Sequence, residues 1–230
     1  MLNLLPVVLA AVVTVSPSGK MVTQTPKVAA FHAVEIGGGI DATVSRGGTA
    51  VKIEVDEAVA PYLVVEVTSA GVLKLGFDKK GAWMMRTGKV LASISTPNLD
   101  GVQASGGATV HAMMTAAKKC DVGGSGGSEL TLTAVTCEQL AIDMSGGSRL
   151  EAVGSAKKVQ ISASGGSHVG LRQVAAGSVS VDGSGGSEIR AFATAELSAE
   201  LTGGTELYVA GHPTSRNVES SGGAQIIDVP

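Results

Sequence analysis

The chain is short of aromatic residues, of charge and of cysteine. Its 230 residues include one Trp, two Tyr and three Phe. A core without rings must be built from Val, Leu, Ile and Ala, which suits thin, regular layers. Lys and Arg number 17 against 20 Asp and Glu, a net charge of −3. That balance lacks the basic footprint a nucleic-acid binder needs to neutralise phosphates. Charged residues make up only 16% of the chain while apolar residues make up 44%, which excludes a disordered polymer. No run after the N-terminus approaches the ~20 apolar residues of a membrane-spanning helix.

What is abundant is glycine, at 32 residues, and it is placed periodically. Ser105-Gly106-Gly107 recurs at Ser125, Ser145, Ser164, Ser184, Thr202 and Ser221, with spacings of 20, 20, 19, 20, 18 and 19. Five residues after each Ser or Thr stands an aliphatic: Val110, Leu130, Leu150, Val169, Ile189, Leu207 and Ile226. Three residues before each stands Val102, Val122, Ile142, Ile161, Val181, Ala199 or Val218. Polar residues alternate with these on both sides, the period of two that marks strands. Each repeat thus reads as strand, tight corner, strand and connecting loop. A unit of this size cannot seal its own inner face, but stacked units can, with each aliphatic about 4.8 Å from its equivalent. The expectation is an all-β fold, a parallel β-solenoid of 18–20-residue coils. Gly106, Gly126, Gly146, Gly165, Gly185, Gly203 and Gly222 are the expected corners, where positive φ is cheap only for glycine.

The first half has the same alternation with less regular spacing: Ile40-Ala42-Val44, Val51-Ile53-Val55, Leu63-Val65-Val67 and Leu73-Leu75-Phe77. Gly37-Gly38-Gly39 reads as an earlier corner, and residues 78–88 as a longer loop holding Trp83. No linker separates two domains, so residues 21–230 are expected to form one solenoid, irregular over 21–100 and regular over 101–230. Before it, Met1–Val15 is almost wholly apolar and is followed by Ser16-Pro17-Ser18-Gly19-Lys20. Residues 1–20 fit a secretory signal, although Lys and Arg are missing from its start; a buried strand or a mis-set start codon are the competing readings.

Resemblance to a known family rests on four stretches: Phe31-His32-Ala33-Val34-Glu35-Ile36, Gly39-Ile40-Asp41-Ala42-Thr43-Val44, Val90 through the Ser95-Thr96-Pro97-Asn98-Leu99 run, and the Ser-Gly-Gly ladder. Together, over roughly residues 28–228, they resemble the family described as "putative auto-transporter adhesin, head GIN domain", with Gly39-Ile40-Asp41 where the domain's Gly-Ile-Asn would stand. The resemblance implies an exported bacterial protein with a β-helical fold and carries no catalytic residues to transfer. The autotransporter part of the name fits poorly, because a translocating barrel would need at least eight further strands.

Signals for chemistry are weak. Gly123-Gly124-Ser125-Gly126-Gly127 matches a nucleophile elbow, but a strand rather than a helix follows it. Gly37–Ala42 matches a loose dinucleotide fingerprint, with Asp56 and Glu57 at about the right distance, and fails the same test, since Ile40–Ser45 reads as strand. His32, His111, His168 and His212 show no ligand spacing. Glu188 and Glu206 fall on equivalent positions of adjacent coils with His168 one coil beyond, too few oxygens for calcium; an exposed polar row with mild like-charge repulsion is the simpler reading. No catalytic residue, metal or cofactor is expected. Cys120 falls on an inward strand position and Cys137 in a connecting loop, three positions out of register, so a bridge would require loop movement and Cys120 reads rather as a buried small apolar residue.

The candidate binding surface is a hydroxyl ladder, Ser128, Ser148, Ser167, Ser187 and Thr205, one position past the glycines. Stacking would set these in a regular line able to hold envelope polysaccharide or another cell surface, while local backbone hydrogen bonding is the competing use of the same hydroxyls. Three function classes follow: a non-enzymatic, adhesin-like display scaffold in the periplasm or at the cell surface; a self-assembling solenoid; and, less well supported, a polysaccharide-active β-helix. Nucleic acid and a transmembrane domain after signal removal are not expected.

Overall fold

A computed structural model describes residues 16–78 and 88–230. The apolar run Met1–Val15 and Trp83 therefore lie outside the described residues, and so does the main part of the expected 78–88 loop. Among the described residues the chain folds into seventeen strands and a single 3-10 turn, Ala60–Tyr62, without an α-helix. The strands are β1 Met21–Gln24, β2 Ala33–Ile36, β3 Asp41–Arg46, β4 Ala50–Asp56, β5 Leu63–Val67, β6 Val72–Phe77, β7 Leu91–Thr96, β8 Gly101–Ala104 and β9 Thr109–Met113. They continue with β10 Ala117–Gly124, β11 Glu129–Met144, β12 Arg149–Ala163, β13 His168–Gly183, β14 Glu188–Leu201, β15 Glu206–Ala210, β16 Ser215–Ser220 and β17 Gln225–Asp228.

From β8 onward every pairing is parallel and joins one coil to the next. Register follows the apolar columns. Val102 pairs with Val122, then come Ile142, Ile161, Val181, Ala199 and Val218. On the other side of the corner Val110 leads to Leu130, Leu150, Val169, Ile189, Leu207 and Ile226. Residues of both columns are buried as far as Ala199 and Leu207, while Val218 and Ile226 in β16 and β17 are half-buried. A one-residue slip would turn every aliphatic outward, so the columns fix the register. Full burial of each Leu or Ile adds roughly 1.5–3 kcal/mol.

The corners are Ser-Gly-Gly turns. The first glycine of each has φ between 60° and 78°, from Gly106 at 60° to Gly185 at 78°. The ladder continues through them: Ser125 N donates to Ala104 O at 3.0 Å, Ser145 N to Gly124 O at 2.9 Å and Ser184 N to Ala163 O at 2.8 Å.

Two features depart from the sequence expectation. First, no loop separates successive coils in the middle of the stack; β11 to β14 run 14–16 residues each, bending at bulges rather than breaking. Register shifts there lie between Leu132 and Val135, between Glu151 and Val153, between Gly170 and Ala176, and between Ala176 and Ser178. Cys137 accordingly lies in a strand and faces inward.

Second, the first half is not a plain continuation of the parallel stack. β2 and β3 form one coil around Gly37–Gly39, with β8 and β9 stacked on one side and β6 and β7 on the other, all parallel. Beyond them β4 and β5 run antiparallel to β7 and β6, and β1 runs antiparallel to β4. β5 and β6 are joined by a tight turn in which Gly71, at φ 74°, donates its N–H to Thr68 O at 2.9 Å. These antiparallel strands close the N-terminal end of the solenoid, the place where parallel coils would otherwise leave bare edges.

Candidate functional site

The hydroxyl ladder is not a surface. Ser128, Ser148, Ser167, Ser187 and Thr205 are all at most 2% exposed. Ser128 Oγ donates to Ala104 O at 3.1 Å, Ser148 Oγ to Gly124 O at 3.0 Å and Ser167 Oγ to Met144 O at 3.3 Å. Ser187 and Thr205 instead donate to the carbonyls of their own corners, Ser184 O at 2.9 Å and Thr202 O at 2.8 Å. The position directly after the second glycine turns inward, so the hydroxyl must find a partner inside, and the corner carbonyls are the acceptors within reach. The proposed binding row is thus corrected to an interior seam, the competing use of the same hydroxyls.

The motifs that carried the family resemblance are fastenings of the fold too. Thr96 is buried and its Oγ1 donates to Phe31 O at 2.7 Å, with Asn98 O at 3.0 Å also in reach. Leu99 is buried, and its N–H donates to Thr115 Oγ1 at 2.8 Å. His32 holds Asp100 Oδ1 at 2.7 Å through Nδ1 and Ala70 O at 3.0 Å through Nε2. Hydrogen bonding to Asp100 raises its pKa above the ordinary 6.5. Asp56, which is buried, accepts from Ser18 N at 2.9 Å, Ser18 Oγ at 3.0 Å, Gly19 N at 2.7 Å and Ala58 N at 2.9 Å. Those donors, led by Ser18 N–H, hold its carboxyl below the usual range. Spacing points to Asp56 only as the acid of the rejected dinucleotide fingerprint; its actual partners Gly19 and Ser18 are 37 and 38 residues away and leave no local signal.

Side chains able to meet a ligand include those on two outer faces of the regular coils. On the face made by β8, β10, the C-terminal halves of β11–β14 and β16, a shallow groove of about 400 Å³ is lined by Gln103, Asp121, Asp143, Gln160, Ser162 and Asp182. At its edge the Gln103 amide folds over Gly123, so closely that a Cβ there would overlap it. Asp121 is paired with Lys119 at 2.7 Å, whereas Asp143 and Asp182 make no salt bridge among the described residues. Amides, carboxylates and hydroxyls spaced by the coil repeat can hydrogen-bond to the hydroxyl groups of an extended polar chain.

The opposite face carries a charged ladder. Glu151 folds over Gly170, where a Cβ would again overlap it, and lies 3.6 Å from Arg149 and 3.5 Å from His168. His168 lies 3.3 Å from Glu188, which pairs with Arg190 at 2.7 Å. Arg190 stacks 5.5 Å from the centre of the Tyr208 ring, and Tyr208 OH donates to Glu206 at 2.8 Å. That bond is the main reason the Tyr208 hydroxyl titrates above its ordinary 10.0. The expected repulsion between Glu188 and Glu206 is therefore offset, each carboxylate having its own partner. Among the described residues no three His, Cys, Asp or Glu side chains converge as metal ligands. His111 pairs in register with Thr131, away from the row of His168.

Comparison with known proteins agrees with this architecture. No curated protein matches the chain. The solved structure of a "putative adhesin" from Bacteroides fragilis shares 21% identity and superposes with a TM-score of 0.85 over 93% of this chain and 99% of that one. A "putative lipid binding protein" from Parabacteroides distasonis shares 18% identity with a TM-score of 0.73, over 94% and 100% of the two chains. A "putative adhesin" from Parabacteroides merdae shares 19% with a TM-score of 0.67, over 94% and 99%. At such identities the likeness is one of fold. The sequence signature described as "putative auto-transporter adhesin, head GIN domain" matches residues 30–213, and the chain belongs to that family.

Proposed function

We propose that this protein is a non-enzymatic, exported scaffold of adhesin type that presents its polar coil faces to envelope polysaccharide or to another cell surface. One observation carries the reading. The buried polar side chains Ser128, Ser148, Ser167, Ser187, Thr205, Thr96 and Asp56 are hydrogen-bonded to the fold itself, so these serve the packing, and the polar side chains open to a partner lie on the outer faces of the coils. Those faces suit weak, repeated contacts with an extended partner better than capture of a small substrate.

Export is part of the proposal. Ser18 and Gly19 are bound to Asp56, and Lys20 O accepts from Glu57 N at 2.8 Å. The leader is accordingly proposed to end before Ser18, somewhat earlier than residue 20. Fractionation of native cells with N-terminal sequencing tests this: an envelope location and a mature chain beginning at or before Ser18 are expected, and a cytosolic protein starting at Met1 would overturn it. For the binding face, a pull-down with isolated envelope polysaccharide should lose most of its signal in an Asp143→Ala/Asp182→Ala variant. Hydrolysis or lysis of the polysaccharide by the purified chain would overturn the non-enzymatic reading.

A second reading is favoured by the last coil, where β16 and β17 each pair on one side only and Val218 and Ile226 are half-buried. End-to-end assembly through those edges would appear in sedimentation velocity as concentration-dependent polymers; a single species across the range removes it.

A further inference from the structure

Cys120 and Cys137 are both buried, at 0% and 8% exposure, and belong to successive coils. In register, Ala117 pairs with Cys137 and Cys120 with Leu140, an offset that along a straight strand would hold the cysteines roughly 10 Å apart. The strand is not straight there. Between Cys137 and Leu140 two residues in a row, Glu138 and Gln139, face solvent, and between Ala117 and Cys120 the same is true of Lys118 and Lys119. Two consecutive outward residues break the alternation and turn the corner. Cys137 enters that corner in one coil and Cys120 leaves it in the neighbouring coil. Both side chains project into its inside and meet, the Cys120 thiol donating to the Cys137 sulfur.

Packing alone does not ask for sulfur at either place. The column of Cys137 continues as Ala156, Ala176 and Ala193, and that of Cys120 as Leu140, Val159, Val179 and Leu197. The chain has only two cysteines, and they stand in the one pair of neighbouring coils and at the one diagonal that bring them together. We infer that Cys120 and Cys137 are a dithiol that oxidises to a disulfide joining two successive coils of the solenoid.

The step is a thiol–disulfide exchange with a small disulfide or an oxidised dithiol protein as the oxidant. The Cys137 thiolate attacks one sulfur of the donor disulfide, forming a mixed disulfide and expelling the first donor thiol. The Cys120 sulfur then attacks the Cys137 sulfur, the intramolecular S–S bond forms and the second donor thiol leaves. The protein loses two electrons and two protons, and the donor gains both. Cys137 is the attacking group on two counts: it retains some exposure, and the hydrogen bond from Cys120 holds its thiol below the ordinary 9.0. The same bond and burial push Cys120 up, so it suits the second, intramolecular step. The bridge would tie one complete coil to the next and restrict the unfolded chain over that length.

The test uses the chain refolded with oxidised glutathione, then unfolded in denaturant and alkylated with iodoacetamide without reduction. The expected product carries no alkyl group, weighs two hydrogens less than the reduced chain and yields one peptide pair linking Cys120 to Cys137. Its melting temperature should exceed that of the reduced chain by roughly 5–10 °C. In Cys137→Ala the difference between oxidised and reduced samples should vanish, with melting close to that of the reduced parent because Ala fills the same column elsewhere. Two alkylated cysteines after refolding, stable glutathione adducts, or an oxidised chain melting no higher than the reduced one would each overturn the inference. These readouts do not depend on export or adhesion, so a failure here leaves the functional proposal to its own tests.

Discussion

Gly126 lies directly on Gly106 of the coil before it: a Cβ added to Gly126 would stand 3.2 Å from the Gly106 amide nitrogen. Its neighbour Gly127 has an equally positive φ, 75° against 62°, yet a Cβ there meets nothing within 4 Å. The two glycines of one corner thus separate two causes that usually act together, backbone handedness and close approach.

Gly127→Ala should lose only the cost of a left-handed L-residue, about 1–2 kcal/mol. Gly126→Ala should lose more, since a backbone that cannot swing away must yield. Gly126→Val should be the worst, at roughly 2–5 kcal/mol from strain and overpacking combined. Denaturant melts of the three variants give the order; equal losses at the two positions would mean that stacking adds nothing to the corner.

Ser128→Ala should be mild. The Ala104 carbonyl that accepts the Ser128 hydroxyl also accepts Ser125 N–H at 3.0 Å, so removing the hydroxyl leaves no buried acceptor bare. The expected loss is about 0.5–1 kcal/mol, read from the same melts. Binding to polysaccharide should be unchanged, because this side chain is sealed inside.

Asp56 predicts an acid-sensitive N-terminal end. Its carboxyl titrates below the ordinary 3.8 in the folded chain, so its contribution is present above that value and is lost as pH falls through the depressed folded one. Hydrogen exchange at the Ser18 and Gly19 amides should accelerate there, after correction for the intrinsic rate. Asp56→Asn, which replaces one acceptor oxygen by a donor, should produce the same fraying of residues 18–24 at neutral pH.

His32 predicts the opposite slope. With Nδ1 on a carboxylate and Nε2 on a carbonyl, the imidazole donates to both only when protonated. Its folded pKa lies above 6.5, so this stabilisation is complete below that value and is lost as pH rises through the folded one. The melting temperature should fall across that interval, and Asp100→Asn should flatten the dependence. The pair is surface-exposed at its rim, so the effect should also shrink in high salt.

The regular coils were legible because the corner triplet and its flanking aliphatics state the register twice, once in glycine and once in apolar columns. Val122 and Leu130 could be assigned to the interior from spacing alone. Residue type misled at Ser128. Ser128 shares the parity of the inward Leu130 and Leu132; it was its hydroxyl, set against that alternation, that suggested an outward position. Cys137 failed for a related reason, since a bulged corner looks like a loop in a sequence with no break of composition. At the N-terminal end, β5 and β6 alternate like any coil strand, and their antiparallel pairing depends on a tight turn at Gly71 whose composition resembles the other glycine turns.

The bulges between Leu132 and Val135, Glu151 and Val153, and Gly170 and Ala176 all fall on the side away from the Ser-Gly-Gly corners. One seam is therefore rigid in length and the other elastic, and the drift from 20 residues per turn to 18 is taken up wholly by the second. Inserted peptides should be tolerated along that elastic seam and rejected along the rigid one, which marks where the molecule is open to diversification and where it could be engineered to carry a foreign epitope.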